Sequence, residues 1–97
     1  MSLAERLQVM VVDDTSVSRM LVIEALNQIG IRQISCAKDG KSALDSLMVK
    51  PVHLVISDMN MPGLDGLELL KGLRSFAPTS KIGFILLTGS ADKTLID

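Results

Sequence analysis

The sequence predicts a doubly wound α/β domain, a parallel sheet with helices on both faces. Two observations carry this. Short apolar runs alternate with segments whose apolar residues recur at helical spacing. Acidic residues directly follow two of those runs, as Asp13-Asp14 and as Asp58. The 97 residues give room for one domain and too little for two, so 1–97 reads as a single unit.

Residues 8–12 read as a fully buried strand. Thr15 or Ser16 can cap a helix whose Val22, Leu26 and Ile29 share a face and which Gly30 ends. Residues 32–37 form a more polar strand suited to a sheet edge. Asp39 caps a helix with Ala43, Leu44, Leu47 and Met48 on one stripe, stopped by Pro51. Residues 53–57 are apolar enough for a strand covered on both faces. A loop rich in turn residues follows around Pro62-Gly63, and Asp65 then caps a helix with Leu67, Leu70 and Leu73 facing inward. Residues 82–87 make the fourth strand, and 91–97 read as the start of a helix. Seven residues are too few for an independent helix, so the chain is expected to be the incomplete N-terminal part of a longer domain. Strand–helix alternation of this kind implies right-handed crossovers.

Composition narrows the function classes. Hydrophobic residues make up 47% of the chain and aromatic ones 2%, so the core is aliphatic. Net charge is -1 with scattered basic residues, which gives no nucleic-acid groove. The single Cys36 excludes an internal disulfide framework and a cysteine zinc site, and fits a reducing cytoplasm. Glu5 and Arg6 interrupt any signal-peptide core, and the apolar run 82–87 is far below the ~18 residues of a membrane span.

Ligands of open parallel sheets bind beyond the carboxyl ends of the strands. Asp13, Asp14, Asp58 and Thr88 all fall on that edge. Clustered carboxylates repel one another unless a proton or a cation joins them. An all-oxygen, partly hydrated site favours Mg²⁺, which in turn favours a phosphate-bearing partner.

These residues carry a resemblance to the receiver domains of two-component response regulators. Val11-Val12-Asp13-Asp14 resembles the acidic pair after the family's first strand. Asp58-Met59-Asn60-Met61-Pro62-Gly63-Leu64-Asp65-Gly66 resembles its phosphoacceptor loop, and Leu87-Thr88-Gly89 its fourth-strand threonine. The loop wording is nearest to stand-alone chemotaxis regulators, and the likeness runs from Leu7 to Asp97. Three motifs at compatible spacing make a strong signal.

The resemblance implies a flavodoxin-like fold with strand order 2-1-3-4, lacking a fifth strand and last helix. It implies that Asp58 accepts a phosphoryl group from a histidine kinase, a role as phosphoacceptor rather than as an enzyme. Asp14, Asp58 and the Asn60 backbone carbonyl would hold Mg²⁺ directly, with Asp13 acting largely through water. Thr88 would hydrogen-bond the phosphoryl group and draw its loop inward. Asn60 and Ser90 would influence the phosphoryl lifetime.

The family also carries a lysine followed by proline at the end of a fifth strand. Lys50-Pro51 is not that pair, because it precedes the third strand. Losing one charge-stabilising donor costs about 10²–10³ in rate in other enzymes, so slow phosphoryl uptake and impaired output are expected. Without a fifth strand, the fourth becomes an edge, and Phe84, Ile85 and Leu86 would lose cover and invite a homodimer.

Plainer roles remain for several residues. Asp13 could simply cap a helix, and Thr88 alone is an ordinary strand-end hydroxyl. Asp65-Gly66 reads as a structural turn and cap, His53 as a lone histidine without a partner, and Cys36 as core packing. Two other functions compete with the receiver reading. A phosphatase working through an aspartyl phosphate would show Asp-x-Asp after its first strand, unlike the adjacent Asp13-Asp14. The acidic set argues against a non-phosphorylated interaction or dimerisation module for the complete domain, while for the incomplete chain that reading stays open.

Overall fold

A computed structural model describes residues 2–87 and the backbone of Leu95–Ile96. In chain order the elements are α1 (Leu3–Arg6), β1 (Gln8–Val12), α2 (Ser16–Gln28), β2 (Gln33–Ala37), α3 (Gly40–Val49), β3 (Leu54–Asp58) and α4 (Gly66–Arg74). A 3₁₀ turn at Ala77–Thr79 leads into β4 (Gly83–Leu87), and β5 is Leu95–Ile96. The sheet order is β2-β1-β3-β4-β5. The first four strands are parallel in the expected order, and β5 runs antiparallel along Leu86 and Leu87.

Both faces of β1 are covered, which explains its unbroken apolar run. Val9 and Val11 pack with Leu26, Ile31 and Ile56 beneath α2. Met10 and Val12 pack on the other face with Leu47, Leu69 and Leu73 of α3 and α4. β2 is the polar edge strand.

The acidic caps act as their sequence suggests. Asp39 accepts from the Ser42 N–H at 2.7 Å. Asp65 accepts from the Glu68 N–H at 2.8 Å, and Glu68 returns the bond to the Asp65 N–H at 3.0 Å. This reciprocal box satisfies two otherwise unpaired donors of the first turn. A second such box, Ser2 with Glu5, starts the short α1, an element the apolar pattern alone does not announce.

Several expectations need correction. Thr15 stands at the cap position of α2, but its side chain makes no capping bond. Ile29 is exposed because α2 turns out at its C-cap, and Ile31 takes the buried place. Met48 is exposed as well. On α4 the residues turned inward are Gly66, Leu69 and Leu73, with Leu67 partly exposed. Cys36 is exposed, on the edge strand β2, while α2 packs chiefly on β1. Phe84 and Leu86 keep their cover, since both point into the α3–α4 layer, and only Ile85 is half-buried. Leu95–Ile96 is extended rather than helical.

Candidate functional site

Sheet register brings the acidic residues together. Val12 pairs with Ser57, so the next position on each strand sets Asp13 beside Asp58. Asp58 itself pairs with Leu87 of β4, the residue before Thr88. Thr88 and Ser90 lie outside the described residues. One carboxylate oxygen from each of Asp13, Asp14 and Asp58 falls within 4.8 Å of the others. Asp13 is buried, Asp58 half-buried and Asp14 exposed, so the cluster is lined on one side and open on the other.

The Asp13 side chain has a structural duty too. Its Oδ1 accepts from the Thr15 N–H at 2.9 Å, closing the turn out of β1. Asp13 thus closes a turn and does not cap α2, whose cap position is Thr15. Asp58 binds its proton more tightly than an ordinary carboxyl. Burial is the main cause, the Asp13 charge adds to it, and Asp14 adds a little more. The Met59 and Asn60 backbone N–H groups act the other way. The cluster is thus short of positive charge.

The loop after Asp58 is held from both sides. Met59 donates to the Leu87 carbonyl and accepts from the Gly66 N–H, each at 2.9 Å. Gly66 has no room for a side chain: a Cβ there would press on the Asp58 carbonyl oxygen and lie 2.6 Å from Leu86 Cδ1. A Cβ at Gly40 would likewise press on the Leu64 carbonyl oxygen. Both helix starts are Asp-Gly, so the sequence shows the turn but not the close approach that demands it. Gly63 at φ 74° makes the turn that only glycine adopts freely. Asn60 is exposed on this loop, two residues beyond Asp58.

Two residues set aside in the sequence have placements of their own. His53 Nδ1 accepts from the Gln8 N–H at 2.9 Å, a structural tie at the start of β1. Lys50-Pro51 follows α3 and precedes β3, away from the carboxyl edge. Arg19 belongs to no sequence motif, yet its Nη1 donates to the Asp13 backbone carbonyl at 2.6 Å.

Three converging carboxylates with one open side fit a hard divalent cation with an incomplete protein shell. That is the coordination Mg²⁺ prefers, since it keeps several waters. The excess negative charge that raises Asp58 is what such an ion would offset.

The sequence profile of the response regulator receiver domain matches residues 9–97. The chain is similar to the probable chemotaxis protein CheY of Rhizobium etli, with 44% identity over 96 residues, 99% of this chain and 74% of that protein. It is similar in structure to the BeF3-activated response regulator CheY2-Mg2+ of Sinorhizobium meliloti, at TM-score 0.75 and 48% identity, over 95% of this chain and 71% of that one. A receiver protein N-terminal domain from Methanoculleus marisnigri gives TM-score 0.80 at 29% identity, over 92% and 69%. Sequence, strand order and acidic edge agree: the chain belongs to the response regulator receiver domain family.

Proposed function

We propose that this chain accepts a phosphoryl group on Asp58 from a partner histidine kinase in the cytoplasm. The observation that supports it most is the convergence of Asp13, Asp14 and Asp58 at the carboxyl edge, with Asp58 at the end of the central strand β3. Asp14, Asp58 and the Asn60 carbonyl would hold Mg²⁺ directly, and Asp13 would act through water. The turn bond that already occupies Asp13 Oδ1 supports that division. When bound, Mg²⁺ supplies positive charge that offsets the charge spread over the phosphoryl oxygens.

Asp58 attacks phosphorus through a carboxylate oxygen. An acyl phosphate bond forms as the bond from phosphorus to the kinase imidazole nitrogen breaks, and that nitrogen keeps the electron pair. A carboxylate needs no general base near neutral pH. Partial desolvation and the Asp13 charge make it more basic and so a better nucleophile. Thr88, next to the partner of Asp58 in the sheet, would hydrogen-bond the new phosphoryl group.

No Lys-Pro pair follows Leu87 within the 97 residues. Residues 1–97 alone are therefore proposed to take up phosphoryl slowly from a small donor and to signal weakly. Self-association through β4 belongs to the same proposal, because Gly83, Phe84 and Ile85 have no outer strand partner among the described residues. Light scattering at rising concentration checks it, and a monomer throughout would remove it.

Beryllofluoride with Mg²⁺, followed by amide shifts in NMR, tests the receiver reading. Saturable shifts around Asp58 and Met59 that need both ions are expected. A docking module would show no linked binding.

A further inference from the structure

Asp13 and Asp14 sit on a turn between β1 and α2 that has few ties of its own. Thr15 gives α2 no side-chain cap, and both Asp14 and Thr15 are exposed. The Asp13 Oδ1 bond to the Thr15 N–H is one constraint. The Asp13 N–H also donates to the Ala37 carbonyl of β2 at 3.1 Å, and Arg19 adds a third tie, its guanidinium donating to the Asp13 carbonyl at 2.6 Å in a half-buried setting. A hydrogen bond from a charged donor is roughly twice as strong as a neutral one. Arg19 is fixed at its other end as well, because its own N–H donates to the Thr15 carbonyl at 3.0 Å. Arg19 thereby ties the Asp13 carbonyl to the first turn of α2.

The choice of acceptor matters for the pocket. Among the described residues the sole ion pair is Lys41 with Asp45, so Arg19 pairs with neither Asp13 nor Asp14. An arginine salt-bridged to those carboxylates would compete with a cation for their oxygens. Bonded to the peptide oxygen, it fixes the backbone that carries them and leaves the carboxylates available.

We infer that Arg19 is a positioning residue of the acidic pocket: through the Asp13 carbonyl it fixes the turn bearing Asp13 and Asp14 and so sets the pocket's affinity for a divalent cation. The inference rests on reading the pocket as a Mg²⁺ site. Groups that orient metal ligands from outside the coordination shell typically contribute about 10–100-fold to metal affinity.

The test is a Mg²⁺ titration of the full 97-residue chain by NMR amide shifts, with thermal melting in EDTA run beside it. Arg19→Ala should weaken Mg²⁺ binding about 10-fold, and Arg19→Lys, which can still donate to the carbonyl, should stay within ~3-fold of the parent. Wild-type affinity in Arg19→Ala, with or without a lowered melting temperature in EDTA, would overturn the inference. So would an Arg19→Lys chain as weak as Arg19→Ala. Should Arg19→Ala fail to fold, Arg19→Met, which has no donor, takes its place, with the same expected loss and the same overturning result. A parent chain that binds no Mg²⁺ would instead defeat the metal reading itself, a separate outcome.

Discussion

Asp13 and Asp58 stand side by side at the ends of adjacent parallel strands, one step beyond the Val12–Ser57 pair, with carboxylate oxygens within 4.8 Å. Neither carboxylate is paired with a cationic side chain among the described residues. That unrelieved proximity raises the proton affinity of Asp58 after burial has already done so. The pocket is therefore a site where stability has been given up for charge density.

Removing the Asp58 charge should stabilise the metal-free fold. Asp58→Asn is expected to raise the melting temperature in EDTA by roughly 3 °C, the shift that about 0.5 kcal/mol produces in a domain of this size, a figure kept small because solvent screens a half-buried group. The same substitution should remove the stabilisation that Mg²⁺ gives the parent, about 1.4 kcal/mol at ten times its dissociation constant. Melting curves with and without Mg²⁺ measure both effects. A lower melting temperature for Asp58→Asn in EDTA would contradict the repulsion account.

The pH dependence follows from the same group. Asp58 binds its proton more tightly folded than unfolded. The stabilisation it gives is complete below the ordinary carboxyl value of 3.8 and is lost as pH rises through the raised folded value. Asp39 and Glu5 work in the opposite sense. Backbone hydrogen bonds from Ser42 and Ser2 lower them, so their contributions disappear in acid. Subtracting the melting profile of Asp58→Asn from that of the parent isolates the Asp58 part. In EDTA the parent should lose ground to the variant with rising pH, starting just above 3.8. A flat difference would count against a raised Asp58.

Gly66 should prove indispensable for packing, while Gly72 on the same helix should not. A methyl at Gly66 meets the Asp58 carbonyl and Leu86 Cδ1, whereas one at Gly72 meets only the Leu44 side chain, at 3.3 Å. Gly66→Ala is expected to cost about 2–3 kcal/mol from overpacking. Gly72→Ala should lie within ~0.5 kcal/mol of the parent, because gained helix propensity offsets the tight contact. Urea unfolding of both variants decides the matter, and equal midpoints would remove the close-approach account of α4.

Much of this was legible in the sequence. Unbroken apolar runs marked β1, β3 and β4, and the acidic caps Asp39 and Asp65 marked two helix starts. The three aspartates were placed on one edge because parallel strands put their carboxyl ends together. What was hidden depended on tertiary contact. Four leucines in nine residues leave the inward stripe of α4 undecided, and the approach of Gly66 to Asp58 turns Leu69 inward rather than Leu67. Cys36 looks like core by type, yet it is exposed on the edge strand β2. Arg19 carries no signal at all, since its partner is a peptide oxygen six positions back.

The central claim is that Asp58 is the phosphoryl acceptor. Its most direct test is incubation of the chain with a small phosphoryl donor and Mg²⁺, borohydride reduction of the acyl phosphate, and mass mapping of the peptides. Reduction should convert Asp58 alone to homoserine, slowly in this 97-residue chain, and only when Mg²⁺ is present. Homoserine at Asp13 or Asp14, or modification of Asp58 that is indifferent to Mg²⁺, would contradict the account.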